Sequence, residues 1–441
     1  MDKLIMAGQI ILALAILVTL HELGHFAAAR MFGIKVEKFY LFFDAWGKKL
    51  FSFKYKDTEY GIGWLPLGGY VKIAGMIDES MDTDQLKSEP QPWEFRSKPA
   101  WQRLIVMIGG VTVNLILGII ISICILWGYG EKKLPLEKVK YGIYPYVVGK
   151  EMKFQEGDVI TGINGKKVEF FQDLKKPSVI LGDGIYFDVI RNQENIKVSL
   201  PSNISDRISD KKEPLFDYLI PCVFDSIIVG MPAEKAGLKK GDQVIAINDT
   251  AIKSYNTFAE KVPLYAGKAC NFKVLRGNDT IDFKINVNKE GKVGTHPADP
   301  YEKDIIKLKY SLGKSIPLGT SLAFETLADQ LTGMKKLVSG KIDPRKSLQG
   351  PIGIAALFGP EWIWFRFWTL TGLLSLILAF MNLLPIPALD GGHVVFLIIE
   401  MIIRRPLSDK FMQVMQVIGM VILLSLMVFA FGNDFYRIFT K

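Results

Sequence analysis

The chain contains four long apolar blocks, which constrain its fold more than any other feature of the sequence. They run from Leu4 to Ala29, from Leu104 to Gly128, from Phe367 to Leu389 and from Phe411 to Gly432. A helix of about 20 apolar residues is long enough to cross the hydrocarbon core of a bilayer. The sequence therefore predicts a polytopic α-helical membrane protein with four transmembrane segments.

A long polar stretch separates the second block from the third. Hydrophobic residues make up 49% of the 441 residues, which is low for a chain embedded in lipid throughout. Soluble modules are therefore predicted between these two spans.

Basic residues are concentrated in the connections that follow the first and third blocks. Because Lys and Arg accumulate in cytoplasmic loops, both connections are expected in the cytoplasm and the long polar stretch on the opposite side. The net charge of +9 is largely this bias, and no nucleic-acid partner is indicated. The basic residues are Lys35, Lys38, Lys48, Lys49, Lys54, Lys56, Lys72, Arg96, Lys98 and Arg103 in the first connection, and Arg404, Arg405 and Lys410 in the second.

One motif places chemistry in the first apolar block. His21-Glu22-Leu23-Gly24-His25 has the form H-E-x-x-H. On a helix, positions four residues apart share a face, so both imidazoles can reach one metal ion, and Glu22 beside them can accept a proton from water. Ionisable side chains in a membrane span are costly and indicate function. The alternative is a pair of histidines that only pack by hydrogen bonds in a helix bundle.

Asp390 is the candidate for a third metal ligand, since a hydrolytic zinc site needs three protein ligands and one open position. It follows two prolines and precedes two glycines, which cannot sustain a regular helix. Such breaks are tolerated at membrane depth where the backbone lines a polar cavity. The break frees Asp390 to point at the metal, although Asp390 could instead cap a helix that resumes at Val394. His393 has the spacing of a fourth ligand, but we favour a hydrogen bond from it to a ligand or the substrate.

The polar stretch contains an internal repeat. The segment from Phe154 to Asn164 recurs from Leu238 to Asn248, and Phe187 to Arg191 recurs from Phe272 to Arg276. Two similar modules with short β-strands are therefore predicted, joined by a polar linker from Ser202 to Glu213.

The second copy, from Met231 to Asp242, resembles PDZ domains of bacterial proteases. In that family this segment leads into a strand beside the peptide-binding groove, so peptide C-termini are candidate partners. The first copy lacks the Pro-Ala and Ala-Gly elements between Gly149 and Lys153, which implies a divergent PDZ-like module; two unrelated small β domains are the alternative. Cys222 and Cys270 fall in this region and could form a disulfide or remain two core thiols.

The connection after the first span has strand character. Lys49 to Tyr55 alternates, a turn follows at Lys56-Asp57, and Tyr60 to Ile73 is rich in glycine and aromatic residues. The pattern predicts β-hairpins that lie against the membrane. Beyond the second module, the periodicity from Leu318 to Val338 predicts an amphipathic helix.

The H-E-x-x-H motif, together with the segment from Asn382 to Gly391, resembles the paired motifs of the site-2 protease family, and more narrowly those of the bacterial regulator-of-sigma-E proteases. The resemblance spans nearly the whole chain, although Val111 stands where these relatives commonly have proline. Supporting segments are Pro66 to Lys72, Gly109 to Asn114 and Gly350 to Ile354.

The resemblance implies a zinc site. His21, His25 and Asp390 would bind one zinc ion per chain, with Glu22 as the general base. It implies a substrate site as well, in which Asn382 holds the substrate backbone near the metal by a hydrogen bond.

The resemblance also implies that the segment from Gly61 to Ile73, which includes Gly69 and Tyr70, forms a membrane-associated hairpin. Its edge would receive the unwound substrate as an added strand. The chemistry agrees with this, because a transmembrane helix hides its own amides, and an exposed strand edge offers replacement hydrogen bonds.

Together these features predict a zinc-dependent intramembrane metalloendopeptidase of the bacterial inner membrane. Its modules would be periplasmic and its active site near the cytoplasmic side. The resemblance implies that the substrates are single-span membrane proteins such as anti-sigma factors, usually cut beforehand outside the membrane; signal-peptide remnants are a second candidate class. The expected domains are a first membrane half at 1–130, PDZ-like domains at 131–212 and 213–295, and a second membrane half at 296–441.

Three alternatives fit less well. A membrane-anchored soluble zincin does not explain a metal motif at the end of an apolar span. An inactive scaffold would have no need for Glu22 or Asp390. A transporter would explain broken spans but not an H-E-x-x-H motif.

Overall fold

All four apolar blocks form helices. The computed structural model describes residues 2–66, 68–76 and 89–439, and among these, four helices are long and apolar enough to cross a membrane. They are Asp2–Met31, Ala100–Gly128, Trp364–Asn382 and Lys410–Arg437. The prediction of a polytopic membrane protein with four spans is confirmed. The third helix is shorter than predicted and ends at Asn382, because the prolines that follow lack the N–H that a continuing helix needs.

The chain divides into two compact units. One comprises the described parts of residues 1–130, 309–335 and 347–441, and the other comprises residues 131–308 and 336–346. The first unit contains the four spans. The domain boundaries given above within the second unit remain predictions.

The segment that connects the first two spans, helices α1 (Asp2–Met31) and α2 (Ala100–Gly128), forms a four-stranded sheet. The order in the sheet is β2-β3-β1-β4. Strands β2 and β3 are antiparallel and enclose Lys56-Asp57, as predicted for this hairpin. The strands are β1 (Val36–Leu41), β2 (Lys49–Tyr55), β3 (Thr58–Gly63) and β4 (Tyr70–Ile73).

The segment from Gly61 to Ile73 does not form the predicted hairpin. Strand β1 lies between β3 and β4, parallel to β3 and antiparallel to β4. Val36 and Tyr40 of β1 are buried, and this explains why β1 takes an inner position. Strand β4 therefore lies at the edge of this sheet as described. Leu67, within the same segment, lies outside the described residues.

The second unit contains the repeat, and both copies have the same sheet order. The sheets run β10-β9-β7-β8 and β14-β13-β15-β16. The strands are β5 (Glu131–Lys133), β6 (Ile143–Pro145), β7 (Val159–Ile163), β8 (Lys166–Lys167), β9 (Tyr186–Arg191), β10 (Glu194–Ser199), β11 (Phe216–Tyr218), β12 (Phe224–Ile227), β13 (Gln243–Ile247), β14 (Thr250–Ala251), β15 (Ala269–Arg276), β16 (Asp279–Asn286), β17 (Thr295–Pro297) and β18 (Ile306–Leu308). The helices are α3 (Val147–Glu151), α4 (Pro177–Ile180), α5 (Ile204–Lys211), α6 (Pro232–Lys235) and α7 (Tyr255–Lys261).

Two sequence expectations change in this unit. The predicted linker from Ser202 to Glu213 contains helix α5, in which Ile204 is buried and Ile208 packs against the same hydrophobic core. Cys222 and Cys270 are both buried and free, which resolves the alternatives in favour of separate core thiols.

Each copy of the repeat contains the same buried ion pair. Asp242 accepts two hydrogen bonds from Arg276, at 2.7 and 2.8 Å, and Asp158 accepts two from Arg191, both at 2.7 Å. The recurrence of these residues in the sequence therefore reflects an Asp–Arg ion pair that is present in both modules. In each module the arginine donates two hydrogen bonds to the carboxylate, and this bidentate geometry is among the strongest for an ion pair.

Acid should weaken the second module through Asp242. Burial alone would raise the pKa of Asp242, but the Arg276 hydrogen bonds and the Lys239 backbone N–H bring it below its usual value. A pKa lowered by folding adds stability above the unfolded value of about 4, and this stability is lost as the pH falls through the folded pKa. The substitution Asp242→Asn should remove this pH dependence and lower the free energy of unfolding by roughly 2 kcal/mol.

Hydrogen exchange of the β15 and β16 amides in the intact protein, followed from about pH 2 to about pH 6 so that the range extends well below and above the unfolded carboxyl pKa of about 4, measures this effect. The matched control is Asp225→Asn, because Asp225 pairs with Lys240 on the exposed surface and such pairs contribute at most about 1 kcal/mol. Equal exchange in both variants would contradict the prediction.

The chain after strand β18 is mainly helical. Helix α8 begins six residues before the amphipathic helix predicted at Leu318. The last helix, α13 (Asp409–Phe439), contacts the start of α10 (Pro351–Phe358). Asp434 of α13 accepts hydrogen bonds there from the backbone N–H groups of Gly350, Ile352 and Gly353. The helices are α8 (Leu312–Val338), α9 (Pro344–Ser347), α10 (Pro351–Phe358), α11 (Trp364–Asn382), α12 (Asp390–Ile403) and α13 (Asp409–Phe439).

Candidate metal centre

Helices α1 and α2 cross in close contact at the H-E-x-x-H motif. A Cβ atom added at Gly24 would collide with the Gly109 carbonyl, and one added at Gly109 would lie 2.6 Å from the Gly24 carbonyl oxygen. Glycines on both helices thus let the two backbones touch, as small residues do between membrane helices. This contact brings the imidazoles of α1 against α2.

The loop between α11 and α12 brings Asp390 to the same place. The chain leaves helical geometry after Asn382, passes through Ala388 at φ 77°, and starts α12 at Asp390 rather than at Val394. A Cβ at Gly391 would lie 2.5 Å from the Leu383 carbonyl oxygen, and one at Gly392 would lie 2.5 Å from that of Ile386. The two glycines therefore allow the loop to fold back over the first turn of α12.

Three predicted ligands converge there. Asp390 Oδ2 lies 3.2 Å from His21 Nε2 and 3.3 Å from His25 Nε2, and the two Nε2 atoms are 3.3 Å apart. Among the described residues, His21, His25 and Asp390 form a group whose ligand atoms all lie within 4.8 Å of one another. His393 is not in this group, although it lines the same cavity.

The donor set fits a metal ion. His25 Nδ1 lies 2.8 Å from the Val106 carbonyl oxygen, which can only accept, so His25 carries its proton on Nδ1 and presents a bare lone pair at Nε2. Asp390 Oδ2 is buried and has no hydrogen-bond partner. Lone pairs this close repel each other unless a cation lies between them. The separations also match the edge of about 3.3 Å in a tetrahedron of ligands about 2.0–2.1 Å from zinc.

The three ligands line a cavity of about 780 Å³, and the other predicted site residues line it too. Glu22 and Asn382 both face this cavity, and Asn382 Nδ2 lies 3.3 Å from His21 Nε2. Gly69 and Tyr70 lie on its wall at the start of β4. All seven residues singled out from the sequence therefore meet at one cavity.

Tyr70 is held by neighbours on its own sheet. Its hydroxyl donates to Asp44 Oδ1 at 2.9 Å, and its ring stacks on Tyr40 with centroids 5.5 Å apart. Burial, followed by the Asp44 carboxylate, raises the pKa of Tyr70, so the hydroxyl remains a donor. A Cβ at Gly69 would lie 2.7 Å from the Tyr40 carbonyl oxygen and 2.8 Å from Val18 Cγ1, so only glycine fits between the sheet and α1.

Two residues of α2 at the site were missed from the sequence. Gly110 lies against both imidazoles, and Asn114 Nδ2 lies 3.3 Å from His21 Nδ1. Both fall in the segment from Gly109 to Asn114, which was noted only for its resemblance. The sequence did contain one indication of Asn114, because a polar amide side chain in an otherwise uncharged transmembrane span often has a functional role.

Replacing Gly110 by alanine should weaken zinc binding by at least about tenfold, as expected when ligands are displaced. The new Cβ would press on His25 Nε2 and lie 2.7 Å from His21 Cε1. Chelator competition on the purified protein measures the effect. Gly128→Ala on the same helix is the control, since its Cβ would meet nothing within 4 Å. Wild-type zinc affinity in Gly110→Ala would refute this account of the packing.

A multi-span protein with a His-His-Asp cluster and a glutamate around an internal cavity is, as a class, a membrane metalloprotease. The comparison with known proteins agrees. Residues 9–426 match the model of peptidase family M50. The chain belongs to this family, the site-2 proteases, and is a zinc-dependent metallopeptidase.

The chain is similar to full-length curated relatives. It is 32% identical to the regulator of sigma E protease of Haemophilus influenzae, with 98% of each chain covered. It is 28% identical to a Vibrio cholerae protein named "Putative zinc metalloprotease", with 97% of this chain and 98% of the relative covered. The predicted family, enzyme class and zinc cofactor are confirmed.

Proposed function

We propose that the chain hydrolyses peptide bonds of single-span membrane proteins at the cavity between α1, α2 and α12. The convergence of His21, His25 and Asp390 carries this proposal. These three side chains would hold one zinc ion per chain. When bound, zinc polarises a carbonyl group and lowers the pKa of water to about 7.

Glu22 would act as the general base. It follows His21 on α1 and lines the cavity, so its carboxylate can accept a proton from water and later pass it to the leaving amine. Asn382 would donate a hydrogen bond from Nδ2 to a substrate carbonyl. The 3.3 Å separation between Asn382 Nδ2 and His21 Nε2 supports this role, because the donor lies close to a proposed metal ligand.

Strand β4 would bind the substrate in extended form. It lies at the sheet edge, and its first residue, Tyr70, lines the cavity together with Gly69. A substrate helix must lose its internal hydrogen bonds before hydrolysis, and pairing with an edge strand replaces them. This role needs only an edge, so it does not depend on the predicted hairpin.

The natural substrate would be an anti-sigma factor or a related single-span protein, usually after a first cut outside the cytoplasm; signal-peptide remnants are a second class. The name of the Haemophilus influenzae relative, regulator of sigma E protease, supports this assignment. The protein would lie in the bacterial inner membrane. The basic connections would face the cytoplasm and the repeat modules, which we assign as PDZ-like, the periplasm.

Comparison of membrane fragments in cells with wild-type protein or Glu22→Gln tests the substrate class. Single-span proteins cut within or at the edge of their apolar segment should yield fragments only with wild type, and their uncut stubs should accumulate with the variant. The outcome against the proposal is an identical set of fragments from both strains, or differences confined to soluble proteins.

A further inference from the structure

Asn114 is a buried polar side chain at the metal centre that the proposed mechanism does not use. It lies on α2, is 1% exposed, and approaches His21 Nδ1 at 3.3 Å. The other atom of its amide, Oδ1, is buried without a hydrogen-bond partner. Burying an amide with one atom unpaired lowers the stability of the fold. Because this amide lies beside a candidate metal ligand, we infer that Asn114 has a role at the metal centre.

The role of Asn114 depends on which ring nitrogen of His21 carries the proton. A neutral imidazole carries one proton, so a ring that presents the Nε2 lone pair to a metal carries its proton on Nδ1. His25 meets this condition through the Val106 carbonyl oxygen, 2.8 Å from its Nδ1. His21 needs an acceptor in the same place, and Asn114 is the side chain that approaches its Nδ1.

We propose that Asn114 is a positioning residue whose Oδ1 accepts the hydrogen bond from His21 Nδ1–H and so keeps Nε2 free for zinc. A half-turn of the terminal amide exchanges Oδ1 and Nδ2 without moving any other atom. It brings Oδ1 to the ring as an acceptor and moves Nδ2 to the position that Oδ1 held. This inference rests on the proposed function, because it takes His21 Nε2 as a metal ligand.

The opposite role of Asn114 is incompatible with zinc binding at His21. If Nδ2 donated to Nδ1, the proton of His21 would sit on Nε2. That proton would point at Asp390 Oδ2, 3.2 Å away, and occupy the direction of the metal. The acceptor role therefore predicts a tautomer of His21 that the donor role excludes.

The surroundings hold Asn114 in this place. Ser375 Oγ on α11 donates to the backbone carbonyl oxygen of Asn114 at 2.7 Å, and both residues are buried. One helical turn earlier, Gly110 leaves the space that the His21 ring occupies, since a Cβ there would lie 2.8 Å from His21 Nδ1. These contacts hold the backbone of Asn114 and the His21 ring next to each other.

The test compares the zinc affinity of three variants of the full-length protein by chelator competition. Asn114→Leu removes the acceptor at similar volume and should weaken zinc binding by about 10–100-fold, as loss of a partner to a metal-bound histidine does. Asn114→Asp accepts but does not donate, and should bind zinc within a few-fold of wild type. Ser122→Ala is the control, because it removes a hydroxyl of the same helix that bonds the Gly118 carbonyl oxygen and leaves the partners of both imidazoles in place, so it should change the affinity little.

A second readout does not depend on affinity or activity. Solid-state ¹⁵N spectra of the histidine-labelled, zinc-loaded protein distinguish protonated from bare ring nitrogens, and His21→Ala identifies the His21 signals among the four histidines. A protonated Nδ1 and a bare Nε2 support the proposal. A protonated Nε2 overturns it.

The outcomes separate this inference from the proposed function. If His21→Ala keeps the wild-type affinity for zinc, the proposed metal site is wrong. If His21→Ala loses zinc but Asn114→Leu binds it as wild type does, only the role of Asn114 is wrong. Should Asn114→Leu not fold, the ¹⁵N spectrum of the wild-type protein decides alone, since the acceptor role predicts a proton on His21 Nδ1 and the donor role predicts it on Nε2.

Discussion

Replacing Glu22 by glutamine is expected to slow peptide-bond cleavage by about 10²–10⁴-fold, the contribution typical of general base catalysis. Glutamine keeps the size of the side chain and much of its hydrogen bonding, but it cannot take a proton from water. Because the proposed zinc ligands are His21, His25 and Asp390 and do not include Glu22, zinc content should stay at the wild-type level. Cleavage of a purified single-span substrate in proteoliposomes, with metal analysis of the same samples, measures both quantities.

The control for this experiment is the same substitution at Glu59. Glu59 lies on β3, where it bonds Lys49 and Tyr40, and it is not part of the cavity wall. Glu59→Gln should cleave at close to the wild-type rate. Retained cleavage in Glu22→Gln, with zinc bound, would remove Glu22 from the mechanism.

Replacing Asp390 by alanine should have the largest effect on zinc itself. The carboxylate is one of three converging side chains that we propose as zinc ligands, and its Oδ2 has no hydrogen-bond partner to compensate for its burial. Its loss should weaken zinc binding by more than the roughly 10–100-fold typical of removing a hydrogen-bonding partner of a ligand. Cleavage should fall with zinc occupancy.

Asp44→Ala provides the matched control for Asp390. It removes a carboxylate that lines the same cavity, bonds Tyr70 and lies outside the His-His-Asp cluster. Zinc affinity should be unchanged in this variant. Full zinc occupancy in Asp390→Ala at limiting zinc would exclude Asp390 from the ligand set.

The sequence was most informative where local spacing determines geometry. The i and i+4 histidines on α1 and the proline and glycine residues around Asp390 are local signals, and both led to residues that meet at 3.2–3.3 Å. The repeat was equally clear, because the same Asp–Arg pair recurs at the same position of each module.

The errors concern features that depend on distant partners. The position of β1 between β3 and β4 is set by the burial of Val36 and Tyr40 against the rest of the unit, and no local pattern marks it. The role inferred for Asn114 depends on His21, 93 residues away along the chain, so the spacing of residues on α2 gives no indication of it. The third apolar block extends to Leu389, beyond the end of α11 at Asn382, because apolar composition continues after helical geometry stops; the break itself was predicted from the prolines and glycines.

X-ray absorption spectroscopy of the zinc-loaded protein tests the central claim most directly, since it reports the ligands of the metal. The account predicts two imidazole nitrogens and oxygen ligands at about 2.0–2.2 Å and no sulfur. His25→Ala, if it retains zinc, should have one imidazole fewer. A sulfur ligand at about 2.3 Å, or a wild-type spectrum without two imidazoles, would contradict the assignment of His21, His25 and Asp390 as the zinc site.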